Sequence, residues 1–185
     1  MLFSDSNDIR KYSIVKAIEA SSSKDFFLEF GVFKARTTNL FAKYLQQKGL
    51  ELHGFDSFMG LSEDWKGSDS LTKGSFSLNK KLPNVNQNVK LQIGLIDDTL
   101  EPFINSNKLT SIAFMHMDFD TYTPTEYVLR VTKQYCKRGT IILFDELYGY
   151  PGWREHEFKA LNETYSDEEY DFIAFSKLQV AIRLR

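Results

Sequence analysis

The sequence predicts an α/β fold, a mostly parallel sheet with helices on both faces and an antiparallel pair at its end. Three observations carry this expectation. Short apolar runs alternate with longer amphipathic stretches between residues 26 and 165, the pattern of buried strands joined by crossover helices. Residues 171–184 hold two strand-like runs around Ser176-Lys177, and so short a joint permits only antiparallel pairing. A chain of 185 residues with 42% hydrophobic side chains buries roughly 70% of its unfolded surface without a disulfide or metal, so one domain spanning 1–185 is expected.

The elements follow in order. Asp8 to Ala20 has helical periodicity, and Ser21 to Lys24 is a polar connector, so residues 1–24 read as an N-terminal helix and linker. Phe26 to Phe30, Leu50 to Phe55, Val89 to Ile93, Ser111 to Met117 and Thr140 to Phe144 read as short strands, buried or half-buried. Thr37 to Lys48, Asp98 to Asn105, Thr125 to Lys137 and Trp153 to Tyr165 read as the helices between and after them. Residues 57–88 are rich in Gly, Ser, Lys and Asn with little periodicity, and so long a segment without structure of its own marks a functional loop.

Composition excludes several classes. With 23 basic against 25 acidic residues and no basic run, the chain lacks the positive surplus of a nucleic-acid binder. It has neither the layout of a signal peptide at its start nor 18 consecutive apolar residues, so no membrane segment is expected. One cysteine, Cys136, forms no internal disulfide and has no metal-ligand spacing; a reduced, cytoplasmic setting is expected. Aromatics make up 15% of the chain, 16 of them Phe, which suits a core, a ligand pocket, or both.

Open parallel sheets bind ligands beyond the carboxyl ends of their strands, so the residues there are the candidates. The first strand runs into Glu29-Phe30-Gly31. One glycine permits a tight turn and close ligand approach. The phosphate-binding GxGxxG pattern is absent and Glu29 would repel a phosphate, so a cationic or hydroxyl-rich ligand is expected. Asp56 ends the second strand 25 residues after Gly31, near the spacing at which an acid takes a ribose diol. Asp97 and Asp98 suit either a helix cap or a ligand base. The fourth and fifth strands end in Asp118-Phe119-Asp120 and Asp145-Glu146. Adjacent strands lie about 4.8 Å apart, so these carboxylates crowd one edge and require protonation or a hard cation such as Mg²⁺. His116 shares strand parity with Asp118 but reads as a core histidine. Cys136 reads as inert filler on a helix face; His156 and Glu157, after Pro151-Gly152-Trp153, suit either a face of the substrate cleft or a solvated first turn, and the solvated turn is expected.

Taken together, Glu29-Phe30-Gly31-Val32, Gly54 to Phe58 with Gly60-Leu61, Gly94 with Asp98 to Leu100, His116 to Tyr122, and Phe144-Asp145-Glu146 resemble the macrocin O-methyltransferase family. These are class I S-adenosylmethionine-dependent, Mg²⁺-dependent O-methyltransferases of sugars and natural products. The resemblance covers about residues 26–165 and implies a Rossmann-like seven-stranded sheet with a reversed last strand. It implies that Glu29 and Gly31 hold the methionine moiety, Asp56 the ribose and Asp98 the adenine side, with Ser57 and Asp118 among the cofactor contacts. It further implies Asp118, Asp145 and Glu146 as Mg²⁺ ligands, with Asp145 and Asp120 as the candidates for base. The acceptor implied is a small hydroxyl compound, a sugar or glycoside, and a homodimer stays open. The family commonly carries two aspartates where this chain has Asp145-Glu146, and a longer section before its first strand. Two rivals remain: a glycosyltransferase using Asp118-Phe119-Asp120 as a DxD motif, and a non-catalytic S-adenosylmethionine-binding module.

Overall fold

The structure, a computed structural model, describes residues 1–65, 67 and 70–185. Lys66, Ser68 and Asp69, within the predicted active-site loop at 57–88, lie outside the described residues. Seven strands form one sheet in the order β3-β2-β1-β4-β5-β7-β6: β1 Phe26–Phe30, β2 Leu52–Asp56, β3 Val89–Ile93, β4 Ile112–Met117, β5 Cys136–Phe144, β6 Tyr170–Ser176 and β7 Gln179–Leu184. β1 pairs parallel with β2 and β4, and β4 with β5, whereas β7 runs antiparallel to both β5 and β6. The predicted mostly parallel, seven-stranded sheet with one reversed strand is the fold observed.

Helices α1 Ser6–Ala20, α2 Arg36–Gln46, α3 Ile96–Asn107, α4 Tyr122–Thr132 and α5 Glu157–Thr164 flank the sheet. In α2 the buried residues are Thr38, Phe41, Ala42 and Leu45, the i, i+3, i+4, i+7 stripe of a helix lying on a core. α1 starts where the Asp5 side chain accepts the Asn7 amide at 2.7 Å, a stabilising N-cap. Alternation along the strands divides the core in two. Phe27, Phe114, Ile141 and Leu143 pack with Phe41, Ile9 and Ile14 of α1 and α2. Phe30, Phe55, Met117 and Phe144 face the other way, against Leu100, Phe103, Leu129 and Leu161 of α3, α4 and α5. Each such fully buried large side chain contributes about 1.5–3 kcal/mol.

Two predicted elements differ. The helix expected at Thr125 to Lys137 ends at Thr132, and β5 begins at Cys136. Cys136 therefore opens a strand instead of standing on a helix face, because the polar Lys137-Arg138-Gly139 continues β5 past the sheet's covered part. The helix expected at Trp153 to Tyr165 is split. A 3-10 turn at Trp153–Glu155 gives way at His156 (φ −114°, ψ −122°), and α5 starts at Glu157.

Candidate active site

Register and parity bring the acidic residues together. Glu29 of β1 sits opposite Gly54 of β2 and His116 of β4, and His116 opposite Leu143 of β5. Side chains two residues apart on a strand share a face. The α1–α2 face that is apolar at Phe27, Phe114 and Leu143 thus turns polar at Glu29 and His116, then acidic at Asp56, Asp118 and Asp145 where the strands end. This edge is the switch point of the sheet, between β1 and β4, where open α/β sheets bind ligands.

At Gly31 (φ +95°) a Cβ would stand 1.9 Å from the Asp118 carbonyl oxygen, so only glycine fits the turn after β1. Asp56 fastens that turn. Its Oδ2 accepts the amides of Val32 (2.9 Å) and Phe33 (2.7 Å), and its Oδ1 accepts the Phe58 amide at 2.7 Å. A cleft of about 310 Å³ opens here, lined by Gly31, Phe33, Phe55, Asp56, Ser57, Leu95, Ile96, Phe119, Asp118, Asp120 and Glu146 among others, a size typical of small-molecule sites. It is apolar along Phe33, Phe55 and Ile96 and acidic at its β4–β5 end.

The acidic end has two sides. Asp145 turns toward α1: Arg10 Nη2 donates to its Oδ1 at 2.7 Å and to its Oδ2 at 3.0 Å, and Gln179 of β7 donates to Oδ1 as well. His116, fully buried, lies 3.3 Å from Asp145 Oδ1 through Nε2 and 3.2 Å from Glu29 Oε1 through Nδ1. Burial would push this imidazole down, but the two carboxylates hold it up at about 10. Burial likewise opposes ionisation of Asp145, and His116 and Arg10 overcome it, so Asp145 lies below the usual carboxylate range. Glu146 turns the other way, where its amide donates to Oε2 of the fully buried Glu157 at 3.1 Å. Burial first, then repulsion among Asp118, Asp120, Asp145, Glu146 and Glu157, raises Asp118, Glu146 and Glu157. Asp120 is pushed up by burial to about 6, with a hydrogen bond shared with Glu146 working against the rise.

Asp118 is common to two groups of potential ligands whose donor atoms lie within 4.8 Å of one another: His116, Asp118 and Asp145, and Asp118, Asp120 and Glu146. Apart from the His116 nitrogens, which already meet Glu29 and Asp145, the donors are hard oxygens that carry excess negative charge, and among the described residues the buried Glu146 Oε2 has no hydrogen-bond partner. A set of this kind fits a hard dication. Above the cleft, the loop between β2 and β3 reaches across: Trp65 packs on Tyr150 (ring centroids 5.0 Å apart), Phe76 on Phe33 (5.4 Å), and Glu63 accepts the Thr123 amide at the start of α4 (3.1 Å).

Of the residues singled out from sequence, Gly31, Asp56, Ser57, Asp118, Asp120 and Glu146 line this one cleft. Glu29 and Asp145 stand behind it, joined through His116. Asp98 is exposed in the first turn of α3 and outside the cleft lining, which takes Leu95 and Ile96 on that side. Sequence reasoning passed over four residues: Arg10, His116, Gln179 and Glu157. His116 had a signal in its strand parity with Asp118, and Glu157 in its place at a helix start that could face the cleft; Arg10 and Gln179 reach the site through contacts 135 and 34 residues along the chain.

A ligand cleft at the switch point of a seven-stranded sheet with β7 reversed is the architecture of class I methyltransferases. The profile of the methyltransferase domain family matches residues 28–147, and the chain belongs to that family. Among solved structures it is similar to CalS11, a calicheamicin methyltransferase, at 21% identity and TM-score 0.78, over 96% of this chain and 77% of that one. An apo structure of CalS11, described as a TDP-rhamnose 3'-O-methyltransferase, gives 21% and 0.71, over 96% and 78% of the two chains. The O-methyltransferase NovP gives 17% and 0.70, over the same shares. No curated protein matches the chain. Among the described residues no helix is long and apolar enough to cross a membrane.

Proposed function

We propose that this chain is a single-domain S-adenosylmethionine-dependent O-methyltransferase of the macrocin type, which methylates a hydroxyl of a sugar or sugar-like natural product with the help of Mg²⁺. The observation that carries this is the cleft itself, with the Gly31 turn and Asp56 at one end and Asp118, Asp120 and Glu146 at the other. One solved neighbour, CalS11, is described as a TDP-rhamnose 3'-O-methyltransferase, which favours a glycoside acceptor.

The cofactor would lie along the apolar wall, with the Gly31 turn and the Glu29 carboxylate toward its methionine end and Ser57 and Asp56 toward its ribose. Asp118, common to both groups, would hold Mg²⁺ with Asp145 from one and Glu146 from the other: among the described residues Asp145 Oδ2 accepts from Arg10 and Glu146 Oε2 from no group. Bound there, Mg²⁺ supplies Lewis acidity and a template for the acceptor's hydroxyls. In the transfer, the acceptor oxygen forms its bond to the methyl carbon as the carbon–sulfur bond breaks and its electron pair goes to sulfur. The hydroxyl proton passes to Asp120, whose pKa of about 6 suits a base near neutrality. Holding both substrates in line provides much of the remaining rate, and the Trp65 and Phe76 loop excludes water.

Calorimetric titration with Mg²⁺ present tests the reading: the protein binds S-adenosylhomocysteine, whether or not a nucleotide sugar also binds as acceptor. Binding of a nucleotide sugar alone would establish the DxD glycosyltransferase alternative instead.

A further inference from the structure

Glu29 and Asp145 stand on opposite sides of β4 and do not touch; His116 lies between them. All three side chains are on one sheet face, brought into line by the pairing of Glu29 with His116 and of His116 with Leu143, two residues before Asp145. Nδ1 meets Glu29 Oε1 at 3.2 Å and Nε2 meets Asp145 Oδ1 at 3.3 Å. The opposite oxygen of Glu29, Oε2, is buried and has no hydrogen-bond partner among the described residues, so the His116 contact is the polar contact that the structure gives this carboxylate. An imidazole is a rigid plane whose two nitrogens keep a fixed separation. Displacing one carboxylate therefore displaces or rotates the ring and disturbs the other. The edge of Phe41 (centroids 5.1 Å apart, interplanar angle 75°) packs against the ring and limits its freedom to turn.

We propose that His116 is a positioning residue that ties the cofactor end of the site to its metal end by holding Glu29 with one ring nitrogen and Asp145 with the other. The proposal rests on the methyltransferase reading above, in which Glu29 serves S-adenosylmethionine and Asp145 serves Mg²⁺. It accounts for a histidine placed at the centre of an acidic edge with no opening to the cleft. It also makes the two ligands interdependent, since a group that orders two sites couples their affinities reciprocally.

The test measures the binding of S-adenosylhomocysteine and, separately, of Mg²⁺ by the full-length protein. Thermal melts establish that each variant is folded. His116→Gln, which keeps one polar contact but not the bridge, is expected to weaken both ligands by about 10- to 100-fold, the usual effect of losing an outer partner of a ligating group. Glu29→Gln is expected to weaken Mg²⁺ binding although Glu29 has no place in the metal set, and this cross-effect is expected to vanish in the His116→Gln background. Phe41→Leu loosens the packing on the same ring while sparing the bridge, and should leave both affinities within about threefold, under 0.7 kcal/mol. The inference is overturned if His116→Gln weakens one ligand or neither, if Phe41→Leu reproduces both losses, or if the cross-effect persists without His116. Failure of the wild-type protein to bind S-adenosylhomocysteine at all removes the underlying methyltransferase reading, and is seen before any substitution is made.

Discussion

Removing divalent cations should make this protein lose stability as pH rises from about 4.5 to 8, the reverse of ordinary acid denaturation. Asp120 is raised from 3.8 to about 6. A carboxyl raised in the folded state contributes stability that is complete below its unfolded pKa and lost as pH climbs through the folded one. Two units at 1.36 kcal/mol each give about 2–3 kcal/mol from Asp120, most of it lost between pH 4 and 6. Asp118, Glu146 and Glu157 shift in the same direction and extend the decline upward. His116, held at about 10, adds to it above pH 6.5, the ordinary histidine value. Asp145 is lowered, so its opposite contribution is already complete by pH 4.5. For a domain of this size 1 kcal/mol moves Tm by about 2–4 °C, so in EDTA Tm should fall by about 5–10 °C across the range. Circular dichroism melts at half-unit intervals measure this. Excess Mg²⁺ should restore most of the lost Tm at pH 8, and Asp120→Asn should flatten the lower part of the curve. A Tm in EDTA that is flat or rises above pH 5, or that ignores Mg²⁺, would refute the reasoning that burial first, and crowding second, makes these carboxyls costly to ionise.

Gly31→Ala forces a Cβ against the Asp118 carbonyl at positive φ. It should destabilise by about 3–5 kcal/mol, combining the left-handed backbone cost with overpacking, seen as a lower urea midpoint and no measurable S-adenosylhomocysteine binding. Asp56→Asn keeps one acceptor oxygen for three amides and should cost about 2–3 kcal/mol in chemical denaturation through lost charge-assisted bonds, with cofactor affinity reduced at least tenfold. Trp65→Ala, which strips the loop's contact with Tyr150, should raise the acceptor KM with S-adenosylhomocysteine affinity nearly unchanged; an equal loss in both would place Trp65 at the cofactor.

Most parallel strands were legible as short apolar runs and edge strand β3 by its alternation, Val89-Lys90-Leu91-Gln92-Ile93, and the acids at 118, 120, 145 and 146 were legible because they interrupt apolar runs where a strand must end. Asp56 at the end of β2 belongs to the same signal. Its three amide partners were not legible, since they depend on how the Gly31 turn folds back over β2. β5 extends to Cys136 through Lys137-Arg138-Gly139, whose polarity mimics a turn. Arg10 and Gln179 arrive from α1 and β7 across 135 and 34 residues, and nothing local to either marks it. Glu157 has the sequence context of a solvated helix start, and only the packing of α5 against the β5 end buries it. His116 shows the limit best: strand parity put it beside Asp118, but a core histidine and a bridge between two carboxylates look alike until the neighbouring strands are in register.

Transfer of a labelled methyl group from S-adenosylmethionine to a panel of glycosides and nucleotide sugars, with Mg²⁺ or with EDTA, tests the central claim most directly. Label should reach a hydroxyl oxygen of at least one sugar-type acceptor, only with Mg²⁺, and Asp118→Ala should abolish it. Bound S-adenosylmethionine with no transfer to any acceptor, or transfer undiminished by EDTA and by Asp118→Ala, would contradict a metal-assisted O-methyltransferase built on this acidic edge.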